Sequence, residues 1–143
     1  MTFRAFIFML AWCGTLPGDL TQVKSEPNLE KRARAALDNA EEVLRQARES
    51  YSAGAIDRSA ALLAEVQESV ELAGNSLKET GKNPVKHPKH FKAAEQKTRE
   101  LLRKLDNFDK EMNVADRPTL ESVKAKVQQV HDDLLESIMG KKK

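Results

Sequence analysis

Cysteine, tyrosine and tryptophan each occur once in the 143 residues, and aromatic side chains make up only 5% of the chain. A single cysteine excludes an internal disulfide, an iron–sulfur cluster held by several thiolates and the Cys-x-x-Cys-His attachment of a c-type haem. The six glycines and five prolines are clustered, and the alternating β-branched and aromatic runs that strands need are missing. There is no glycine-rich phosphate loop and no serine set between glycines in a nucleophile elbow. The di-iron helical proteins need Glu-x-x-His on an inward face, but the residue three before His131 is Gln128. Asp132 and Asp133 are adjacent, so on a helix their side chains point about 100° apart and do not act together. No catalytic, cofactor-binding or metal-ligating residue is assigned, and the expectation is a protein that is not an enzyme.

What is abundant is charge, at 32% of residues, together with Ala, Leu, Glu, Lys and Arg, the composition of long amphipathic helices. The spacing predicts a first helix over 28–53 with the stripe Leu29, Ala33, Ala36, Leu37, Ala40, Val43, Leu44, Ala47 and Tyr51. A second follows over 56–80 with Ile56, Ala60, Leu63, Val66, Val70, Ala73 and Leu77, and Gly54 and Gly81 are its flanking stops. A third runs over 88–113 with Phe91, Ala94, Thr98, Leu101, Leu102, Leu105, Phe108 and Met112, opened by Pro88. A fourth runs over 117–139 with Leu120, Val123, Val127, Val130, Leu134 and Ile138. Glu30–Arg34, Glu41–Arg45, Glu95–Arg99, Glu100–Lys104 and Asp106–Lys110 stand four apart in the favourable order and are expected to brace the outer faces. The expected fold is all-α: an up-down-up-down antiparallel four-helix bundle over 28–139 with coiled-coil-like packing. Two long hairpins completed by a homodimer are the alternative.

The net charge of +2 hides an asymmetry. Residues 26–80 hold 7 Lys/Arg against 11 Asp/Glu, and residues 81–143 hold 15 against 10. An acidic hairpin lying beside a basic one is the simplest meaning. Nucleic acid is an unfavoured partner, because a dedicated binder carries a stronger basic excess with aromatics for stacking.

Met1–Arg4 form a short positive stretch and Ala5–Trp12 (AFIFMLAW) an apolar one, followed by Cys13, Gly14 and Pro17-Gly18. This is the pattern of a secretory signal, and eight apolar residues are too few to span a hydrocarbon core of ~30 Å. Residues 1–20 are therefore read as a signal peptide, 21–27 as a linker and 140–143 as a basic tail. Leu10-Ala11-Trp12-Cys13 looks like a lipobox that would place a lipid on Cys13. Trp12 stands where a small residue is usual, so ordinary cleavage between Cys13 and Leu20 is preferred. An uncleaved apolar arm is the third reading.

Two features could carry binding chemistry. His87 and His90 flank Pro88-Lys89, but a metal needs further ligands and Lys82, Lys86, Lys89 and Lys92 surround the pair, so a solvated helix start is expected. His131, on the flank of the fourth stripe, is expected to be a boundary residue hydrogen-bonded to a neighbour. The same lysines, with Lys141, Lys142 and Lys143, form the candidate anion-binding set, suited to phosphates or an anionic membrane surface. A solvated basic face is the plainer account of them.

Two resemblances add to this. The turn Tyr51…Gly54-Ala55-Ile56-Asp57…Ala60 resembles the inner turn of a tetratricopeptide hairpin, although the helices are about twice as long as that repeat uses and no copy follows at its ~34-residue spacing. The runs His87–Glu95, Thr98–Leu105, Ala115–Pro118 and Val130–Leu135, with the Met139-Gly140-Lys141 end, resemble a family of uncharacterised exported bacterial proteins. That resemblance implies export and helical structure and brings no activity or cofactor with it. The expected function is an interaction or structural module of the cell envelope, periplasmic or lipid-anchored, with a protein partner. Peripheral binding to an anionic surface is the alternative.

Overall fold

In the computed structural model, residues 20–140 are described; of the signal segment read as 1–20 all but Leu20, Cys13 with it, and Lys141–Lys143 lie outside the described residues. The described residues are helical, with no strand among them. They form α1 (Leu20–Lys24), α2 (Leu29–Ser52), α3 (Ile56–Glu79), α4 (Lys89–Glu111), a single 3-10 turn (Val114–Asp116) and α5 (Arg117–Met139). The four long helices begin and end within two residues of the boundaries predicted from periodicity. Local signals set those ends. The Asn28 side chain accepts from the Lys31 amide at 3.0 Å and caps α2, while Gly140 closes α5 in the left-handed region at φ 73°.

The stretch read as a linker is not free chain. Residues Leu20–Lys24 make a helical turn, Leu20 is buried and Val23 packs against the core. The Arg32 Nε donates to the Glu26 carbonyl at 2.9 Å. Two apolar side chains four or fewer residues apart were enough to fold back onto α2, which a reading based on Pro and Gly alone overlooks.

Contacts between side chains orient the helices. Arg32 reaches Glu79, setting the start of α2 beside the end of α3. Lys82 and His90 meet Glu30 at one end of the α2–α4 seam and Arg48 meets Glu111 at the other, so α2 and α4 run in the same direction. Lys124 meets Asp106 across α4 and α5. Lys78–Asp133 and Lys126–Glu71 join α3 to α5. The two hairpins α2–α3 and α4–α5 therefore lie face to face, and the connection from Thr80 to Pro88 passes over one end. A single core runs through all four helices, including Leu37, Leu44, Leu63, Leu77, Leu101, Leu105, Phe108 and Leu120.

Residue size sets the spacing between helices. Small residues are buried on both helices of the first hairpin, Ala33, Ala36, Ala40 and Ala47 on α2 and Ser59, Ser69, Ala73 and Ser76 on α3. Ser59 Oγ donates to the Ala47 carbonyl at 2.8 Å, and Asn39 Nδ2 donates to Ser69 Oγ at 2.9 Å. These serines fell outside the predicted stripe because periodicity scored them as polar; their small volume lets them be buried, and Ser59 and Ser69 keep a hydrogen-bond partner there. Ile56 departs in the other direction, at the first position of α3 and exposed.

Most of the predicted outer-face pairs take other partners. Glu95–Arg99 forms, with Arg99 Nε at 3.0 Å. Glu30 turns to Lys82 and His90, Glu41 to Lys97 at 3.5 Å, Glu100 to Arg103 and Asp106 to Lys124, while Arg45 binds Glu42 and Glu49. An i,i+4 pair is worth only ~0.2–0.5 kcal/mol, so another charge within reach, on the same helix or a neighbouring one, readily displaces it. Several of these pairs link the acidic first hairpin to the basic second, as the charge split suggested. Lys97 is the clearest case. Burial pulls its pKa down, but Asp38 and Glu41 outweigh that and leave it raised.

Candidate functional site

The end of the bundle that carries the α3–α4 connection gathers groups distant in sequence. Its loop is organised by Asn83. The Asn83 side-chain oxygen accepts from the amides of Val85 (2.9 Å) and Lys86 (3.3 Å), and its carbonyl accepts from the His87 amide at 2.8 Å. Thr80 Oγ1 donates to the Leu77 carbonyl at 2.6 Å and accepts from the Lys82 amide at 3.3 Å. With Pro84 and Pro88 restricting the backbone on either side, the loop has a defined shape, and its lysines are displayed from fixed positions.

Four of the seven candidate anion-binding lysines fall on this loop and the first turn of α4. Lys86, Lys89 and Lys92 are exposed, and none of the three makes an ion pair with another described residue. Lys89 and Lys92 are one helical turn apart and share a face. Lys82 is different: its ammonium binds the Glu30 carboxylate, which His90 Nε2 also meets at 2.9 Å. That hydrogen bond from Lys82, helped by His90 and Lys89 and opposed by burial, holds the Glu30 carboxyl below its ordinary value. Lys82 is thus largely spent within the fold. His90 has a carboxylate partner, whereas His87 is exposed. Among the described residues no group of three His, Cys, Asp or Glu side chains is placed to hold a metal ion.

The C-terminus of α5 arrives at the same end. A Cβ placed on Gly140 would stand 3.4 Å from Val85 Cγ2, so α5 closes beside the Asn83 loop; Lys141, Lys142 and Lys143 lie outside the described residues. From Thr80 to Ala94 the chain contains no Asp or Glu. The amino ends of α2 and α4 and the carboxyl ends of α3 and α5 meet here, so their partial charges offset one another. Side chains decide the sign, and it is positive.

Elsewhere the chemistry-bearing groups are structural. Glu95, Thr98 and His131 form a buried polar layer between α4 and α5. Thr98 Oγ1 lies 2.9 Å from the Glu95 carbonyl, 3.0 Å from the Ala94 carbonyl and 3.1 Å from His131 Nδ1. His131 Nε2 stands 3.7 Å from Glu95 Oε1. The sequence reading of His131 as a hydrogen-bonded residue at the edge of the stripe matches this. Glu95 does not match: read as an outer brace, it is buried, while Arg99 reaches in from solvent. At the opposite end, Tyr51 Oη donates to Asp116 Oδ2 and accepts from the Asn113 amide, each at 2.8 Å. Its ring meets Phe108 edge-on at 5.6 Å. Surface grooves run along the α3–α5 seam (about 230 Å³, with Gly74, Phe91, Val130 and Leu134) and the α2–α4 seam (about 640 Å³, with Asp38, Glu42, Arg45 and Arg103). None of the three polar-layer residues lines either.

Fold and site together define an all-helical protein whose most distinctive surface is a basic bundle end. No protein-family profile, curated protein or solved structure matches this chain.

Proposed function

We propose that this chain is a non-enzymatic binding module of the bacterial cell envelope, and that its basic end is the surface through which it engages a phosphate-bearing anionic surface. The observation that carries this is the convergence at one end of Lys86, Lys89 and Lys92, exposed and without ion pairs to other described residues, with the chain leading to Lys141–Lys143. The reading takes the four long helices as an up-down-up-down bundle with coiled-coil-like packing, built from two stacked hairpins. It also takes residues 1–20 as an export signal, with lipid attachment at Cys13 as the variant form. No helix among the described residues is long and apolar enough to cross a membrane. Contact with a bilayer through this part of the chain is then peripheral.

The test is binding of the full chain to vesicles containing phosphatidylglycerol and to an immobilised sulfated polysaccharide, across rising salt. Exposed charges are screened beyond ~10 Å at about 0.1 M, so binding should collapse with salt. The triple reversal Lys86→Glu, Lys89→Glu and Lys92→Glu should abolish it while helicity is unchanged. A triple variant that binds like the wild type would refute the reading. A rival is favoured by Val114, 75% exposed at the opposite end: a protein-interaction module meeting its partner there. Salt-insensitive binding of one purified envelope protein, lost in Val114→Ser, would establish that instead.

A further inference from the structure

The basic end is not purely polar. Val85, next to Lys86, is 55% exposed, and Met139, next to Gly140, is 59% exposed. Val85 stands between Pro84 and Lys86, at the crest of the loop that Asn83 holds together. It leans toward Gly140, the residue after Met139. Leu135, 38% exposed, lies one turn before Met139 on the same face of α5. An apolar strip therefore climbs α5 and ends in a Val–Met pair bordered by cations. A soluble polyanion offers such a pair nothing to bury against. A bilayer offers both layers of the match: headgroup phosphates for the ammonium groups and the acyl boundary for the apolar tips.

From these observations we propose that the bundle docks end-on to an anionic phospholipid bilayer, with Val85 and Met139 entering the boundary between headgroups and acyl chains. This rests on the anionic-surface reading above and narrows it to a lipid. Each lysine brought to an anionic leaflet contributes about fivefold in affinity. Partial burial of the two apolar side chains contributes about tenfold together, against more than about a hundredfold for full burial of both.

The experiment compares the full chain, Val85→Ser/Met139→Ser, and two fluorescent reporters, Trp12→Phe/Val85→Trp and Trp12→Phe/Val114→Trp. Each is titrated with phosphatidylglycerol vesicles and with the sulfated polysaccharide. The expected result has three parts. The serine variant loses about tenfold in vesicle affinity and nothing on the polysaccharide. The Val85→Trp emission shifts to the blue on vesicles and is quenched by brominated acyl chains. The Val114→Trp emission does neither. Salt-sensitive vesicle binding with the serine variant equal to wild type and no shift at position 85 would overturn insertion and leave the anionic reading standing. A shift at position 114 instead would put the wrong end on the bilayer. Failure to bind either vesicles or polysaccharide would remove the anionic reading, and insertion with it.

Discussion

Replacing Thr98 by Val should destabilise the protein, and replacing His131 by Leu in the same chain should restore part of the loss. Thr98 is fully buried and His131 nearly so. The threonine hydroxyl carries one hydrogen, so it either donates to a carbonyl of α4 and accepts from His131 Nδ1–H, or donates to Nδ1; the separation is 3.1 Å. Valine keeps the volume and removes the oxygen, which leaves Nδ1 facing a methyl group. An orphaned buried polar group costs about 1–3 kcal/mol, so Thr98→Val should lose that much. His131→Leu alone should cost about 1 kcal/mol or less, because Thr98 keeps the carbonyls of Ala94 and Glu95 and a leucine fills the space. In the double variant no orphan remains, and a coupling of about 1–2 kcal/mol should appear, since removing both partners of a buried pair is far milder than removing one. Urea denaturation followed by far-ultraviolet circular dichroism near neutral pH measures all four corners of the cycle, and equal m-values would confirm a common unfolded state. Strict additivity of the two single changes would refute the claim that Thr98 and His131 form one polar layer.

Two further outcomes follow from the geometry. A Cβ on Gly74 would stand 3.2 Å from Val130 Cγ1. Gly74→Ala should therefore be close to neutral, a helix-propensity gain of up to about 1 kcal/mol being offset by a small shift of Val130. Gly74→Leu should cost about 1–3 kcal/mol by prising α3 from α5; thermal denaturation distinguishes them. The Arg45 guanidinium, with Gln46, holds the Glu42 carboxyl down at about 2 against an ordinary 4.5. Because the folded value lies below the unfolded one, the stabilisation is present above about pH 4.5 and is lost as pH falls from there toward about 2. Arg45→Met should return Glu42 toward its ordinary value in a carboxyl NMR titration, and an unchanged titration would break the assignment.

The amino-acid sequence by itself determined that the chain is helical and where the four long helices start and stop. Period and capping are local: apolar residues at three-four spacing, Asn28, Pro88, Pro118 and the closing glycines act within a turn or two of themselves. Most of the core was legible for the same reason, from Ala33 to Leu134. What the tertiary structure alone decided is how these parts meet. Ser59, Ser69, Ser76 and Glu95 read as surface, yet they are buried: the serines are small enough to be covered by packed helices, with the Ala47 carbonyl accepting from Ser59, and Glu95 keeps the Arg99 guanidinium of its own helix. Of the outer-face ion pairs written four residues apart, those of Glu30, Glu41 and Asp106 gave way to cations from beyond their own helix, while Glu100 and Arg45 took other partners on the same helix. The candidate lysines stood in two runs some fifty residues apart, each ordinary alone. That α5 closes at Gly140 beside Val85, at the end that displays Lys86, and that Lys82 is neutralised there by Glu30 depend on the stacking of the two hairpins. Side-chain period encodes which face of a helix is buried, but not which helix covers it, because every apolar stripe in this chain is chemically much like the others.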